Sequence, residues 1–228
     1  MSPAATISAA QAPRIVLDVA DRLFYERGIA AVGMDDVRDA SGVSLRRLYS
    51  LYPSKRDLVA AWLDDRHVRW MQWFTDTVDR LTANDDANAN TSGNDNGNDD
   101  ASGNASGNDN YNDPLVATFD ALVEWAESPG YRGCAFLNAI AETTEIDDSH
   151  RAIVAAHKRS LIDHLTALAT QRSSISASQP PADDRPAWLP NAIAVLIDGA
   201  IVQSAVFGST QPIIDARHAA SRLSECTS

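Results

Sequence analysis

One segment, residues 34–58, constrains the fold of this chain more than any other: MDDVRDASGVSLRRLYSLYPSKRDL. Two short helical patterns flank Gly42, and a third begins at Ser54. Gly42 suits the left-handed backbone that ends a helix and starts a tight turn. Ser44 is placed to cap the following helix through its hydroxyl group. The pattern therefore predicts a short helix, a tight turn and a second helix over residues 45–51.

The second of these helices carries cations on its outer side. Arg46 and Arg47 lie on its first turn, whereas Leu48 is predicted to point inward. A helix, a glycine turn and a helix with exposed cations form the arrangement of a helix-turn-helix DNA reader. In the alternative interpretation, three amphipathic helices happen to give this pattern and both arginines are ordinary solvated surface. The agreement of turn glycine, cap, inward apolar residues and outward cations favours the DNA reader.

The segment also resembles a known family. The shared residues are Ala20, Leu23, Phe24 and Gly28, then Gly42-Val43-Ser44, Leu48-Tyr49, Tyr52-Pro53-Ser54-Lys55 and Asp57-Leu58. In these positions the chain is similar to the DNA-binding domain of the TetR family of bacterial transcriptional regulators. The resemblance implies an all-α homodimer with an N-terminal three-helix helix-turn-helix domain and a C-terminal helical ligand-binding and dimerisation domain. It also implies a regulator, expected to be a repressor, that binds a pseudo-palindromic operator and leaves it when a small-molecule effector binds.

Positions matching the family's motif supply the candidate DNA contacts. Leu45 and Arg46 are expected at base edges, where leucine can touch a thymine methyl and arginine can bind guanine through two hydrogen bonds. Phosphate contacts, which set register and carry no sequence information, are assigned to Ser44, Arg47, Tyr49 and Lys55. Lys55 adds charge to a helix N-terminus, where phosphates bind readily. The family often has Lys-Gly-Thr at positions 45–47, so the altered trio predicts an operator sequence of its own.

Charge is distributed unevenly along the chain. The 228 residues carry a net charge of −12, which taken alone argues against a nucleic-acid partner. Residues 1–63, however, contain 8 basic and 7 acidic residues, whereas the remainder contains 11 basic and 24 acidic residues. Phosphate binding requires local cations and does not require a basic whole protein. The charge balance is therefore compatible with DNA binding by the N-terminal part.

Composition and periodicity predict the domain organisation. Residues 1–11 are expected to form a disordered arm, residues 12–58 the DNA-binding domain, and residues 59–228 the helical effector-binding and dimerisation domain. Within the last, residues 84–113 are almost wholly Asn, Asp, Gly, Ser and Ala, and such a segment buries too little apolar surface to offset its ordering entropy. We interpret it as a disordered insertion. A faint calcium-loop pattern within it has Asp109 where the twelfth position requires Glu, which argues against calcium binding.

Several helices of the C-terminal part supply candidate effector contacts. The run Arg132-Gly133-Cys134, followed by Asn138 and Glu142, resembles a TetR subgroup related to repressors of drug-efflux genes. The predicted pocket residues are Met71, Phe74, Phe119, Phe136, Asn138, Glu142, His157 and Leu161, each of which is alternatively plain core. An acidic lining would favour a cationic, lipophilic effector. His150, His157 and His164 share one helix face as a polar stripe, and their spacing of about 10.5 Å along the axis prevents adjacent members from sharing one metal ion easily.

The apolar segment 187–207 is long enough to span a bilayer. It contains Asn191, Asp198 and Gln203, and a central carboxylate costs several kcal/mol in lipid, so a buried helix is the better interpretation and no membrane partner is expected. The last two helices are predicted to pair with their copies in a second subunit; the alternative is a monomer in which other helices cover this surface.

The remaining sequence features bear on the cellular location of the protein and on whether it is an enzyme. The two cysteines have no metal-like spacing, and residues 1–13 show no secretory signal, which predicts a cytoplasmic protein without cofactors. No Gly-x-Ser-x-Gly elbow, phosphate loop or metal cluster indicates an enzyme. A helical enzyme and a protein-interaction module that uses Arg46 and Arg47 on acidic partners are the competing hypotheses.

Overall fold

A computed structural model describes residues 7–91, 113–142, 148–171 and 186–225. These residues form nine α-helices and no strand, which confirms the all-α prediction. In chain order the helices are α1 (Ala12–Arg27), α2 (Met34–Ser41), α3 (Leu45–Leu51), α4 (Lys55–Thr91), α5 (Pro114–Ala126), α6 (Ala135–Ala141), α7 (Asp148–Gln171), α8 (Leu189–Phe207) and α9 (Gln211–Ser224).

The helix boundaries follow local signals in the sequence. Pro13 stands in the first turn of α1, where its missing N–H is not needed. The side chain of Asp113 accepts a hydrogen bond from the backbone N–H of Leu115 and so caps α5. Gly208 ends α8 in the left-handed conformation, with φ 61°. Such caps satisfy backbone groups that the helix itself leaves without partners.

Two boundaries differ from the sequence-based prediction. Helix α4 continues to Thr91, into the low-complexity segment predicted to be disordered from residue 84, and the rest of that segment lies outside the described residues up to residue 112. Helix α8 begins at Leu189, because the preceding residues form a turn in which the N–H of Leu189 bonds to the carbonyl of Pro186. The predicted arm, residues 1–11, lies outside the described residues up to residue 6.

The chain divides into two compact units. The first comprises Met1–Trp70 and Cys134–Arg159, and the second comprises Met71–Gly133 and Ser160–Ser228. Helices α4 and α7 therefore contribute residues to both units. Helix α6 belongs wholly to the first unit, together with the three N-terminal helices.

The core of the first unit lies where α1 meets the start of α4. Phe24 and Trp62 are almost fully buried and meet edge to face, with ring centroids 5.2 Å apart. Leu48 of α3 and Leu58 of α4 are fully buried. Each fully buried leucine or aromatic side chain contributes about 1.5–3 kcal/mol of transfer free energy, so these residues hold α3 in place from its inner side.

In the second unit, α5 is surrounded by other helices. Leu115, Val116, Phe119 and Leu122 are all fully buried, and α5 packs against α8 and α9. Arg217 of α9 is 7% exposed and donates a 2.8 Å hydrogen bond to Asp120. The ion pair is needed because a buried guanidinium without a partner would be costly.

One helix of the described residues, α8, is long and apolar enough to cross a bilayer on length and composition alone. Of its most apolar stretch, 44% is buried within this chain. The remaining apolar surface includes Val195, Val202, Val206 and Phe207, which are 47–73% exposed. Packing among the described residues therefore covers one side of α8 only.

Candidate nucleic-acid interface

The turn between α2 and α3 has the geometry predicted from its sequence. Gly42 has φ 67° and ψ 8°, and its N–H donates to the carbonyl of Arg38 at 2.9 Å. The hydroxyl of Ser41 accepts from the N–H of Val43, and the hydroxyl of Ser44 accepts from the N–H of Arg47 at 3.4 Å. Together these bonds end one helix and start the next within three residues, which fixes the direction of α3 relative to α2.

Helix α3 separates its inner and outer sides cleanly. Leu48 is fully buried, whereas Leu45 is 36% exposed and Tyr49 is 44% exposed. Arg46 and the capping Ser44 are also exposed, and Arg47 is half-buried. The predicted DNA contacts on α3 thus all have surface that is accessible to a partner. Leu48, which was predicted to point inward, is buried.

The arginines of α3 differ in their electrostatic surroundings from most arginines of this unit. Arg14, Arg38, Arg66 and Arg69 each pair with an aspartate. Neither Arg46 nor Arg47 pairs with any residue that the structure describes, and the Nε of Arg47 has no hydrogen-bond partner among them. The positive charge of α3 is therefore available to an anionic partner.

The N-terminus of α4 lies directly after α3 in the chain. The hydroxyl of Ser54 accepts from the N–H of Asp57 at 3.2 Å and donates to its carboxylate at 2.7 Å. Lys55, predicted to contact phosphate, is the first residue of α4 and is half-buried. The Nε2 of His150, from α7, lies 3.1 Å from the carbonyl oxygen of Arg56. A fully buried histidine of α7 therefore supports the first turn of α4.

A charged network joins α1 to α4 behind this surface. The carboxylate of Asp21 accepts a 2.7 Å hydrogen bond from Trp62 Nε1 and a 2.5 Å bond from Arg66. Burial alone would raise the pKa of Asp21, but the charge of Arg66 and the hydrogen bond from Trp62 lower it overall. Arg66 also lies over the ring of Tyr25, 4.2 Å from its centroid. The carboxylate is thus held ionised between the two helices.

The predicted effector contacts are distributed between the two units. Met71, Phe74, Phe119 and Leu161 belong to the second unit, where all except the half-buried Met71 are buried. Phe136, Asn138, Glu142 and His157 belong to the first unit, where Phe136 and His157 are buried and Asn138 is exposed. Their role in binding an effector stays a prediction.

Within the first unit, His157 is the centre of an aromatic cluster. Phe136 stacks on its ring with centroids 3.7 Å apart, and Trp70 meets it edge to face at 5.3 Å. Its Nδ1 lies 3.0 Å from the Nδ1 of His67. Burial, with the nearby charges of Lys158, His67 and Arg66, lowers the pKa of His157 to about 3.

His67 was not among the residues predicted to be functional. Its own segment contains no signal for the pairing, because the partner lies 90 positions away. The stripe predicted for His150, His157 and His164 is instead a row in which the first two are fully or almost fully buried. Burial of His164 beside the ring of Phe74 in the second unit lowers its pKa too.

A cavity of about 520 Å³ lies in the second unit, where α5 and α8 end and α9 begins. Its lining is Ala126, Glu127, Ser128, Gly130, Tyr131, Ser204, Ala205, Gly208, Ser209 and Thr210. None of the predicted effector contacts lines it. Among the described residues, no group of three or more His, Cys, Asp or Glu side chains is arranged to hold a metal ion.

Residues 16–62 match the family model described as bacterial regulatory proteins, tetR family. The match covers α1 from Val16 onward, α2, α3 and the first residues of α4, so it includes the whole helix-turn-helix described above. The chain has no match among curated protein sequences.

Solved structures share the fold over almost the whole chain. A TetR-family transcriptional regulator from Streptomyces coelicolor is 24% identical, with TM-score 0.66 over 94% of this chain and 95% of its own. The reduced form of NemR from E. coli is 16% identical, with TM-score 0.68 over 93% and 97% of the two chains. The regulatory protein TetR from Rhodobacter sphaeroides is 16% identical, with TM-score 0.64 over 93% and 98%. The nine-helix arrangement is therefore the fold of TetR-family regulators.

Proposed function

We propose that this protein is a ligand-responsive transcriptional repressor of the TetR type, which binds a pseudo-palindromic operator as a homodimer in the cytoplasm and is released by a small-molecule effector. The observation that carries the proposal is the outer side of α3. It exposes Leu45, Arg46 and Tyr49 while Leu48 anchors the helix from within. Its arginines pair with no described carboxylate, in a chain whose net charge is −12.

Each contact has a chemical role in the proposal. Arg46 donates two hydrogen bonds to a guanine edge, and Leu45 touches a thymine methyl group. Ser44, Arg47, Tyr49 and Lys55 hold the phosphates, and so they set the register of α3 in the major groove. Affinity then depends on salt, because each phosphate neutralised by a cation releases counterions.

Dimerisation is supported by the exposed side of α8. Val195, Val202 and Val206 fall on one stripe of that helix and are 72%, 47% and 73% exposed. Gly199 lies on the same stripe, and apart from its chain neighbours and the nearby backbone of α8 no described atom lies within 4 Å of the position its Cβ would take. Such a stripe allows close approach of another helix. A two-fold pairing with the same stripe of a second copy would bury it, as expected for an isologous interface.

Effector release follows the linkage between two binding sites. An effector that prefers a dimer whose α3 helices do not match successive major grooves lowers operator affinity, and by reciprocity the operator lowers effector affinity. The candidate effector contacts remain those predicted from the sequence, taken in each unit separately: Met71, Phe74, Phe119 and Leu161 in the second, and Phe136, Asn138, Glu142 and His157 in the first. The carboxylate of Glu142 and the net charge of −12 favour a cationic, lipophilic compound.

The test is fluorescence anisotropy with labelled DNA from upstream of the protein's own gene and neighbouring genes, across a salt series. Wild-type protein is compared with the Arg46→Ala/Arg47→Ala variant and with Arg80→Ala. Arg80 pairs with Glu124 on the surface of the second unit, so its removal changes net charge without altering α3.

We expect a sequence-selective complex that weakens with salt, persists in Arg80→Ala and is lost in the double variant. Equal binding by the double variant, with the protein folded and dimeric, would disprove the assignment of α3 as the reading helix. Binding to acidic polypeptides in place of duplex DNA would favour the protein-interaction hypothesis, and turnover of a bound compound would favour the enzyme.

A further inference from the structure

Glu142 makes a contact that its own helix does not explain. Its carboxylate accepts a 2.7 Å hydrogen bond from the backbone N–H of Ala30, which lies 112 positions earlier in the chain. Both residues belong to the first unit. Ala30 stands in the loop that joins α1 to α2, and Glu142 is the C-cap of α6. The bond therefore connects the end of α6 to the DNA-reading helices.

The position of Glu142 is unfavourable for local reasons. The C-terminus of a helix carries partial negative charge, so a carboxylate there is repelled and a cation is preferred. The charge-assisted bond to Ala30 offsets this cost, because an ionised acceptor forms a stronger hydrogen bond than a neutral one. The contact with the α1–α2 loop thus supplies a physical reason for an acidic residue at this position.

The α1–α2 loop is shaped to receive the carboxylate. Gly28 has φ 85°, and the two carboxylate oxygens of Glu142 lie 3.1 and 3.3 Å from the position that a Cβ on Gly28 would take. A side chain at position 28 would be strained and would also crowd the carboxylate. Gly28 therefore serves two purposes: it ends α1, and it leaves room for Glu142.

The same loop determines where α2 begins. Ile29 and Val32 are 1% exposed and anchor the loop in the core. Gly33, the N-cap of α2, donates its N–H to the carboxylate of Asp36 at 2.8 Å. Only α2 and the Gly42 turn separate this loop from α3. A displacement of the loop therefore displaces α3 as well.

Helix α6 is also held at its other end within this unit. Phe136, in the first turn of α6, stacks on His157 of α7. A helix of seven residues that is fixed at one end by an aromatic stack has little freedom to shift at the other. The carboxylate of Glu142 is therefore presented to Ala30 from a defined position.

We propose that Glu142 is a positioning residue for DNA reading: by accepting the Ala30 N–H it fixes the α1–α2 loop, and hence the placement of α2 and α3. The inference rests on the proposed operator binding. Glu142 itself touches no DNA in this account. Because the bond is accessible to water, its net contribution is that of an ordinary hydrogen bond, and removing it is expected to weaken operator binding about three- to tenfold.

The experiment compares Glu142→Ala and Glu142→Gln in the full chain. Glutamine keeps a carbonyl oxygen that can accept from Ala30, so it should restore most of the affinity lost in Glu142→Ala. Glu127→Ala is the matched control, because Glu127 is also a helix C-cap, on α5 of the second unit. Operator affinity, thermal unfolding and the amide hydrogen exchange of Ala30 are measured for each protein.

We expect faster exchange at Ala30 and weaker DNA binding in Glu142→Ala, recovery of both in Glu142→Gln, and no change in Glu127→Ala. A loss of thermal stability shared by all three variants, with Ala30 exchange unchanged, would overturn the positioning role. So would wild-type affinity in Glu142→Ala.

The failure of the proposed function would look different. If wild-type protein binds no operator, or binds it equally without Arg46 and Arg47, the DNA-reading assignment fails, and the role inferred for Glu142 fails with it. If wild-type binding depends on these arginines but not on Glu142, only the inference about Glu142 fails.

Discussion

The Nδ1 atoms of His67 and His157 lie 3.0 Å apart inside the first unit, so one ring must donate a proton and the other must accept it. Phe136 covers the ring of His157, and burial with the charges of Lys158, His67 and Arg66 lowers its pKa to about 3. The native protein therefore holds His157 neutral at a pH where the unfolded chain would begin to protonate it.

Acid should destabilise this unit through His157. The folded pKa is about 3 and the ordinary value is 6.5, so the stabilisation is complete above pH 6.5 and is lost as the pH falls toward 3. At pH 5.5 the loss amounts to about 1.4 kcal/mol. Denaturant unfolding should show that the wild-type free energy of unfolding falls between pH 7 and pH 5.5 by about 1.2 kcal/mol more than that of His157→Phe. An unchanged pH dependence in His157→Phe would contradict the assignment.

Removing the charge of Asp21 should weaken the association of α1 with α4. In Asp21→Asn the side chain keeps its size but no longer pairs with Arg66 and Arg69, and a loss of about 2 kcal/mol in unfolding free energy is expected. Asp18→Asn is the control, because Asp18 forms an exposed pair with Arg14 and such pairs contribute little. The folded pKa of Asp21 is lowered from 3.8, so its stabilisation is present at neutral pH and fades in acid below that range. Equal losses of unfolding free energy in the two variants would show that the ion pairs of Asp21 contribute no more to stability than the exposed pair of Asp18.

A charge on the exposed stripe of α8 should separate the subunits. Val206→Glu places a carboxylate where the proposed interface buries a valine, and an unpaired buried charge is strongly unfavourable. Sedimentation equilibrium should then find monomers at concentrations where the wild type is dimeric. Val68→Glu changes a valine that is 65% exposed on α4 and should leave the mass unchanged. A dimeric Val206→Glu variant would place the interface elsewhere.

The left-handed turn at Gly42 should tolerate asparagine better than alanine. With φ 67°, alanine at this position is strained by about 1 kcal/mol, and asparagine adopts this conformation more readily. Thermal unfolding should rank wild type above Gly42→Asn and Gly42→Asn above Gly42→Ala, and operator affinity should fall in the same order because the turn directs α3. Equal stability of Gly42→Asn and Gly42→Ala would exclude backbone strain at position 42 as the cause of the lower stability.

Helix boundaries followed from local sequence signals, whereas the exposed side of a buried helix did not. Helix α2 ends at the predicted Gly42 turn and α3 covers the predicted residues 45–51, because a cap and a turn glycine act over a few neighbouring residues. The exposure of Arg46 and the burial of Leu48 followed from the apolar periodicity of the same segment. For α8, the apolar composition indicated burial but did not indicate which side of the helix is exposed.

What the sequence by itself determined, then, is the helical fold class, the course of the helix-turn-helix and the sidedness of α3, since all three depend on local spacing. Only the tertiary structure brought Glu142 to Ala30 and His157 to His67, and only it grouped α6 with the three N-terminal helices. These pairings join residues 112 and 90 positions apart. No local pattern encodes such a pairing, because the free energy that favours it depends on how whole helices pack together.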